Sequence, residues 1–83
     1  MNEISVIIRT ADQTRKAELE LDMNHTSADV IQASVDNWSL PTDTDYSLVN
    51  CSSGKTLNPT ATLLDSGIKN GEILEIQPIL VAG

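Results

Sequence analysis

The sequence predicts an α+β domain, a mixed four- to five-stranded sheet with one helix packed across it. Three observations carry this expectation: two adjacent runs of period-2 alternation at the start, one capped helical pattern in the middle, and a closing alternating run far enough along the chain to pair in parallel with the first. A chain of 83 residues has room for one such core and no second lobe. At that size it buries roughly 60–65% of the surface it exposes when unfolded. With 40% hydrophobic and 20% charged residues it is expected to fold on its own.

From Glu3 to Thr10, Ile4, Val6 and Ile8 alternate with Ser5, Ile7 and Arg9, so one face of this strand meets a core and Ile7 is the apolar exception on the other. Ala11 to Thr14 is a polar turn, after which Ala17, Leu19 and Leu21 alternate with Lys16, Glu18 and Glu20, making a hairpin. Thr26-Ser27-Ala28-Asp29 has capping-box spacing and opens a helix whose apolar stripe is Ala28, Val30, Ile31, Val35 and Trp38. Pro41 stops it. Tyr46 to Asn50 reads as a third strand, with a turn at Ser52-Ser53-Gly54 and a short strand Lys55-Thr56-Leu57. A second capping-box spacing at Thr62 to Asp65 predicts one helical turn, which Gly67 closes. Asn70-Gly71 is a turn dipeptide, and Glu72 to Gln77 the last strand, with Leu74 and Ile76 on one face and Pro78 ending its capacity to donate in a ladder. This order of elements is the β-grasp.

Twelve carboxylates against five basic residues give a net charge of −7, which repels phosphate backbones and anionic lipid surfaces. Two aromatics, Trp38 and Tyr46, are too few for a base-stacking platform, so neither nucleic acid nor membrane is an expected partner. One cysteine, Cys51, and one histidine, His25, offer neither an internal disulfide nor zinc-site spacing, so no metal is expected. The amino terminus lacks signal-peptide features, and the expected setting is cytoplasmic.

On these residues the chain resembles the ubiquitin-like family over nearly its whole length. The matching stretches are Thr26 to Val35, Leu40-Pro41, Leu48-Val49 with Gly54-Lys55, Thr62-Leu63-Leu64-Asp65 to Ile68, and Ile73 to Gly83 without a gap. Leu64 to Ile76 is similar to the bacterial YukD-like branch, small partners of type VII secretion operons; other bacterial members sit beside activating enzymes, conjugating enzymes and isopeptidases. The resemblance implies a domain over 1–77 and a flexible tail over 78–83. It also implies a protein modifier, not an enzyme, with Gly83 as the conjugation terminus. ATP is then used by the activating enzyme and the chain needs no cofactor of its own.

A carboxylate is a poor electrophile, so joining Gly83 to an amine requires an acyl adenylate and then a thioester on an enzyme cysteine. Glycine suits this, since without a Cβ it admits a nucleophile and a narrow cleft close to its carbonyl. Ala82 departs from the family's Gly-Gly, which weakens the expectation of cleavage by a diglycine-specific isopeptidase. Extended, the tail would reach about 20 Å at about 3.3 Å per residue. Pro78, Ile79, Leu80 and Val81 form its partner-contacting part, able to add to another sheet's edge, to fold back, or to self-associate head to tail. The apolar recognition patch of ubiquitin is matched only at Val49, with Ala11 and Gln77 beside it, so ubiquitin receptors are expected to bind poorly. A YukD-like non-covalent accessory role and a sulfur-carrier role use the same fold and stay open alternatives. Cys51 with His25 reads as an ordinary thiol and a loop histidine, Ser66 as a loop residue, Lys55 as a solvated charge, and Trp38 as core packing.

Overall fold

A computed structural model describes residues 3–79. The elements run β1 (Glu3–Thr10), β2 (Lys16–Asp22), α1 (Ser27–Trp38), β3 (Tyr46–Asn50), β4 (Lys55–Thr56) and β5 (Ile73–Pro78). They form one five-stranded sheet in the order β2-β1-β5-β3-β4, with β1 and β5 parallel at its centre and the other neighbours antiparallel. This is the β-grasp arrangement expected from the element order.

The alternation of β1 places Ile4, Val6 and Ile8 in the core, where they meet Leu48 of β3, Leu74 and Ile76 of β5, and Val30 of α1. Ile7, the outer-face exception, lies beside Ile73 in the β1/β5 register, so the two half-buried isoleucines shield each other. The β1–β2 turn is held by Asp12, whose Oδ1 accepts from the Thr10 hydroxyl at 2.6 Å, the Thr14 N–H at 3.0 Å and the Thr14 hydroxyl at 2.8 Å.

The capping box at α1 forms in both directions: the Asp29 N–H donates to Thr26 Oγ1 at 3.2 Å, and the Thr26 N–H donates to Asp29 Oδ2 at 3.1 Å. Two more first-turn donors, the N–H groups of Ser27 and Ala28, reach the carbonyls of Ala61 and Pro59. The inward stripe differs from the expected one. Ala28 is exposed, and Ser27 and Ser34 are buried instead beside Val30 and Val35. Small side chains let the helix sit close to the sheet, and the Ser34 hydroxyl is satisfied by Val30 O at 2.9 Å. The helix ends before Pro41 acts. Ser39 turns left-handed (φ 50°, ψ 45°), and the Leu40 N–H bonds back to Val35 O at 3.1 Å.

Thr62 to Gly67 makes the single turn expected and goes no further: the Thr62 hydroxyl accepts from the Asp65 N–H at 3.1 Å, the Ser66 N–H donates to Thr62 O at 3.0 Å, and Gly67 (φ 70°) closes the turn. The N–H groups of Leu63 and Leu64, which a helical first turn leaves free, donate to the carbonyls of His25 and Met23. This clasp to the segment before α1 buries Leu63 completely, although it belongs to no helix or strand. The short fourth strand ends at Thr56; Leu57 is buried in the core with its N–H on Leu48 O.

The last strand runs from Ile73 to Pro78 instead of Glu72 to Gln77. Even-numbered residues of β5 direct their backbone groups toward β1, as Glu72 O does in accepting from Ile7. The β1 ladder ends at Thr10, opposite Ile76, so the donor that Pro78 lacks would have had no acceptor there. Pairing with β3 continues past it: Pro78 lies opposite Tyr46, and the Ile79 N–H donates to Asp45 O at 2.8 Å.

Thr26→Ala is expected to lower the unfolding free energy by about 1 kcal/mol, and Leu63→Ala by about 2–5 kcal/mol, in urea denaturation. Equal small losses would mean that the 62–68 segment is not part of the core.

Candidate functional site

The sheet's outer face and the point where the chain leaves β5 are set by the same pairings. Because Arg9 lies opposite Glu75 in the parallel register and Glu75 opposite Val49 in the antiparallel one, three strands bring these residues into one row. Cys51 follows β3, with its N–H on Ile73 O at 2.9 Å.

Glu75 is the centre of this row and is 9% exposed. Its Oε2 accepts from Arg9 Nε at 2.8 Å and its Oε1 from Gln77 Nε2 at 2.9 Å, so both oxygens are paired. The Cys51 Sγ accepts from Arg9 Nη2 at 3.6 Å and lies 4.0 Å from Glu75 Oε2. The Gln77 hydrogen bond and, after it, the Arg9 hydrogen bond and charge hold the Glu75 carboxyl below its ordinary value, against the opposing effect of burial. The Glu75 hydrogen bond in turn raises Arg9.

Val49 and Gln77 therefore do share the outer face, on neighbouring strands. Ala11 is exposed in the turn after β1 and lines a groove of about 420 Å³ with Trp38, Leu40, Tyr46, Ile76 and Pro78. Where an apolar patch would need contiguous aliphatic side chains, the row presents guanidinium, carboxylate and amide groups around one half-buried valine. Sequence reading missed the Arg9–Glu75 pair, because only the parallel register reveals that residues 66 positions apart are neighbours. Cys51 has Arg9 and Glu75 as its partners, and His25 is exposed in the turn before α1. The Ser66 hydroxyl donates to Thr62 O at 2.9 Å, and Lys55 is exposed on β4. Trp38 is half-buried against the core.

Pro78 is exposed, and Ile79 is 44% exposed at the lip of a second groove, about 480 Å³, that Ile31 and Val35 of α1 also line. Leu80, Val81, Ala82 and Gly83 lie outside the described residues. Among the described residues, no group of three or more histidine, cysteine or carboxylate side chains is placed to hold a metal ion, and no helix is long and apolar enough to cross a membrane.

Three carboxyls, Asp12, Asp29 and Glu75, have lowered values, Asp29 through the Thr26 N–H of the capping box, so each stabilises the fold above its ordinary value and loses that contribution as the pH falls through its lowered one. For Asp12, which the Thr10 hydroxyl lowers most, the window runs from 3.8 down to about 2; for Glu75 it begins at 4.5 and extends downward. Stability measured by urea denaturation is expected to decline with acid across this range, and Glu75→Gln to make the decline shallower. A variant with the wild-type slope would show that Glu75 is not held in its charged form by the fold.

No family model matches this chain, and no curated protein sequence does. Solved structures do. The ubiquitin of Caldiarchaeum subterraneum superposes with a TM-score of 0.78 at 27% identity, covering 98% of this chain and 99% of that one. A designed protein based on ubiquitin superposes with a TM-score of 0.77 at 19% identity, covering 99% and 96%. The described residues have the ubiquitin-like β-grasp fold.

Proposed function

We propose that the chain is a ubiquitin-like protein modifier of the bacterial, YukD-like kind, whose Gly83 carboxylate is activated by an ATP-dependent enzyme and joined to an amine. The observation that carries the modifier reading is the likeness to an archaeal ubiquitin over 98% of this chain and 99% of the other. The exposed departure of the chain at Pro78 and Ile79 supports it, because a carboxyl group must reach into an enzyme's cleft to be adenylated. The chain itself serves as the substrate. An activating enzyme supplies ATP chemistry, a conjugating enzyme carries the thioester, and an isopeptidase reverses the bond.

The activation step balances without a group from this chain beyond its carboxylate: an oxygen of Gly83 attacks the α-phosphorus of ATP, pyrophosphate leaves, and a thiolate then displaces AMP. The polar row around Val49 offers little apolar area to desolvate, so the enzymes would read hydrogen-bonding groups at Arg9, Glu75 and Gln77 where ubiquitin's partners read aliphatic ones.

The chain ending at Gly83, mixed with ATP and the activating enzyme of its host, is expected to give an adenylate and a reducible thioester by intact mass, and deletion of Gly83 to abolish both. Recovery of the chain from its host without any isopeptide adduct, together with no thioester in vitro, would refute the proposal. An oxygen-to-sulfur exchange at the terminus would replace it with the sulfur-carrier role, and an unmodified chain held in a stable complex with secretion components with the accessory role.

A further inference from the structure

We propose that Asn70-Gly71 is a site of spontaneous deamidation that the fold holds closed, so that residue 70 records whether the β1/β5 pairing has opened. Of the six asparagines, only Asn70 precedes a glycine. The order matters because the reaction is an attack within the chain. The Gly71 backbone nitrogen bonds to Asn70 Cγ and closes a five-membered succinimide, while the side-chain nitrogen leaves as ammonia, carrying the proton that the Gly71 nitrogen gives up. Water then opens the ring at either carbonyl, adding its hydroxyl there and its proton to the ring nitrogen, and leaves aspartate or isoaspartate. Water is the only other reactant. A side chain on the following residue would crowd the attacking nitrogen, and glycine has none.

Both reacting groups are tied to one residue of β1. The Ser5 N–H donates to Asn70 Oδ1 at 2.9 Å, and the Gly71 N–H donates to Ser5 O at 2.8 Å. The nucleophile's proton is engaged and the amide it must attack is held by its oxygen, so ring closure requires these bonds to break. The turn is fixed at its ends as well: the Glu72 N–H donates to Lys69 O at 3.2 Å, and Glu72 Oε1 accepts from the Lys69 N–H at 2.7 Å. Gly71 has φ 84°, the sign that the third residue of a type II turn takes, and a Cβ built there would meet nothing within 4 Å. Asn70 and Gly71 are both exposed, so water reaches the pair and burial gives it no protection. The two Ser5 bonds are what protect it. Because Ser5 belongs to β1 and Gly71 leads into β5, separating these strands breaks both bonds together and frees the pair to react. This inference does not depend on the fate of Gly83.

The test incubates the full chain in mildly alkaline buffer, folded and in urea, and follows residue 70 by peptide mass mapping, with isoaspartate told from aspartate by fragmentation. Conversion is expected to be about thirtyfold slower in the folded chain than in urea, the factor that two hydrogen bonds of ordinary net strength supply, with both products at residue 70. Ser5→Pro removes the N–H that holds Asn70 Oδ1 and should speed conversion of the folded chain about fivefold; the wild-type comparison stands if this variant loses its fold. Asn70→Gln lengthens the side chain beyond five-membered closure and should abolish conversion at this position in urea. Equal rates in the folded and unfolded chain, conversion at other asparagines in urea while Asn70 stays intact, or an unchanged rate in a folded Ser5→Pro chain would overturn the proposal.

Discussion

The pairing of β1 with β5 is the constraint on which the rest of this molecule depends. It joins the two ends of the described chain in parallel, which no tight turn can do, so the intervening residues must cross the sheet and α1 does so. The same pairing fills the centre of the core, because Ile8 and Leu74 lie opposite one another and both are fully buried. It also fixes where the chain leaves the sheet. Since β1 stops at Thr10, Pro78 is tolerated beyond Ile76, and pairing to β3 alone carries the backbone out to Ile79.

The outer face follows from that register as well. Arg9 and Glu75 meet because their strands are neighbours, and Gln77 takes the second carboxylate oxygen from two residues further along β5. A carboxylate 9% exposed would be costly without both partners, so the pair and the amide act as one unit. The result is a ubiquitin-like body with a polar centre on the face where its resemblance predicts a recognition patch. Fold and surface chemistry therefore separate here: the backbone is ubiquitin-like, while Arg9, Glu75 and Gln77 set a polar row around Val49.

Much of this was legible in the sequence. The alternation of Ile4, Val6 and Ile8, the strict alternation from Ala17 to Leu21 and the Thr26–Asp29 box each encode a local geometry that the tertiary structure keeps. What was not legible arises where distant segments meet. Thr62 to Asp65 has the spacing of a helix start and makes its one turn, but nothing local shows that its first N–H groups reach Met23 and His25 and clasp the turn to the segment before α1. The helix face was misplaced at Ala28 because hydrophobicity marks large apolar residues, whereas Ser27 and Ser34 are buried for their small size. The Arg9–Glu75 pair required the register, which a pattern of one strand at a time does not contain.

Amide hydrogen exchange under native conditions tests the role of the central pairing most directly. If β5 is the strand that holds the molecule together, the N–H groups of Leu74 and Ile76 exchange only through global unfolding, with opening free energies equal to that from denaturation, while the outward N–H groups of Glu18 and Glu20 exchange fast. Protection of the β1–β2 hairpin above that of β5 would contradict the account, by showing that the parallel strand can leave while the rest stays folded.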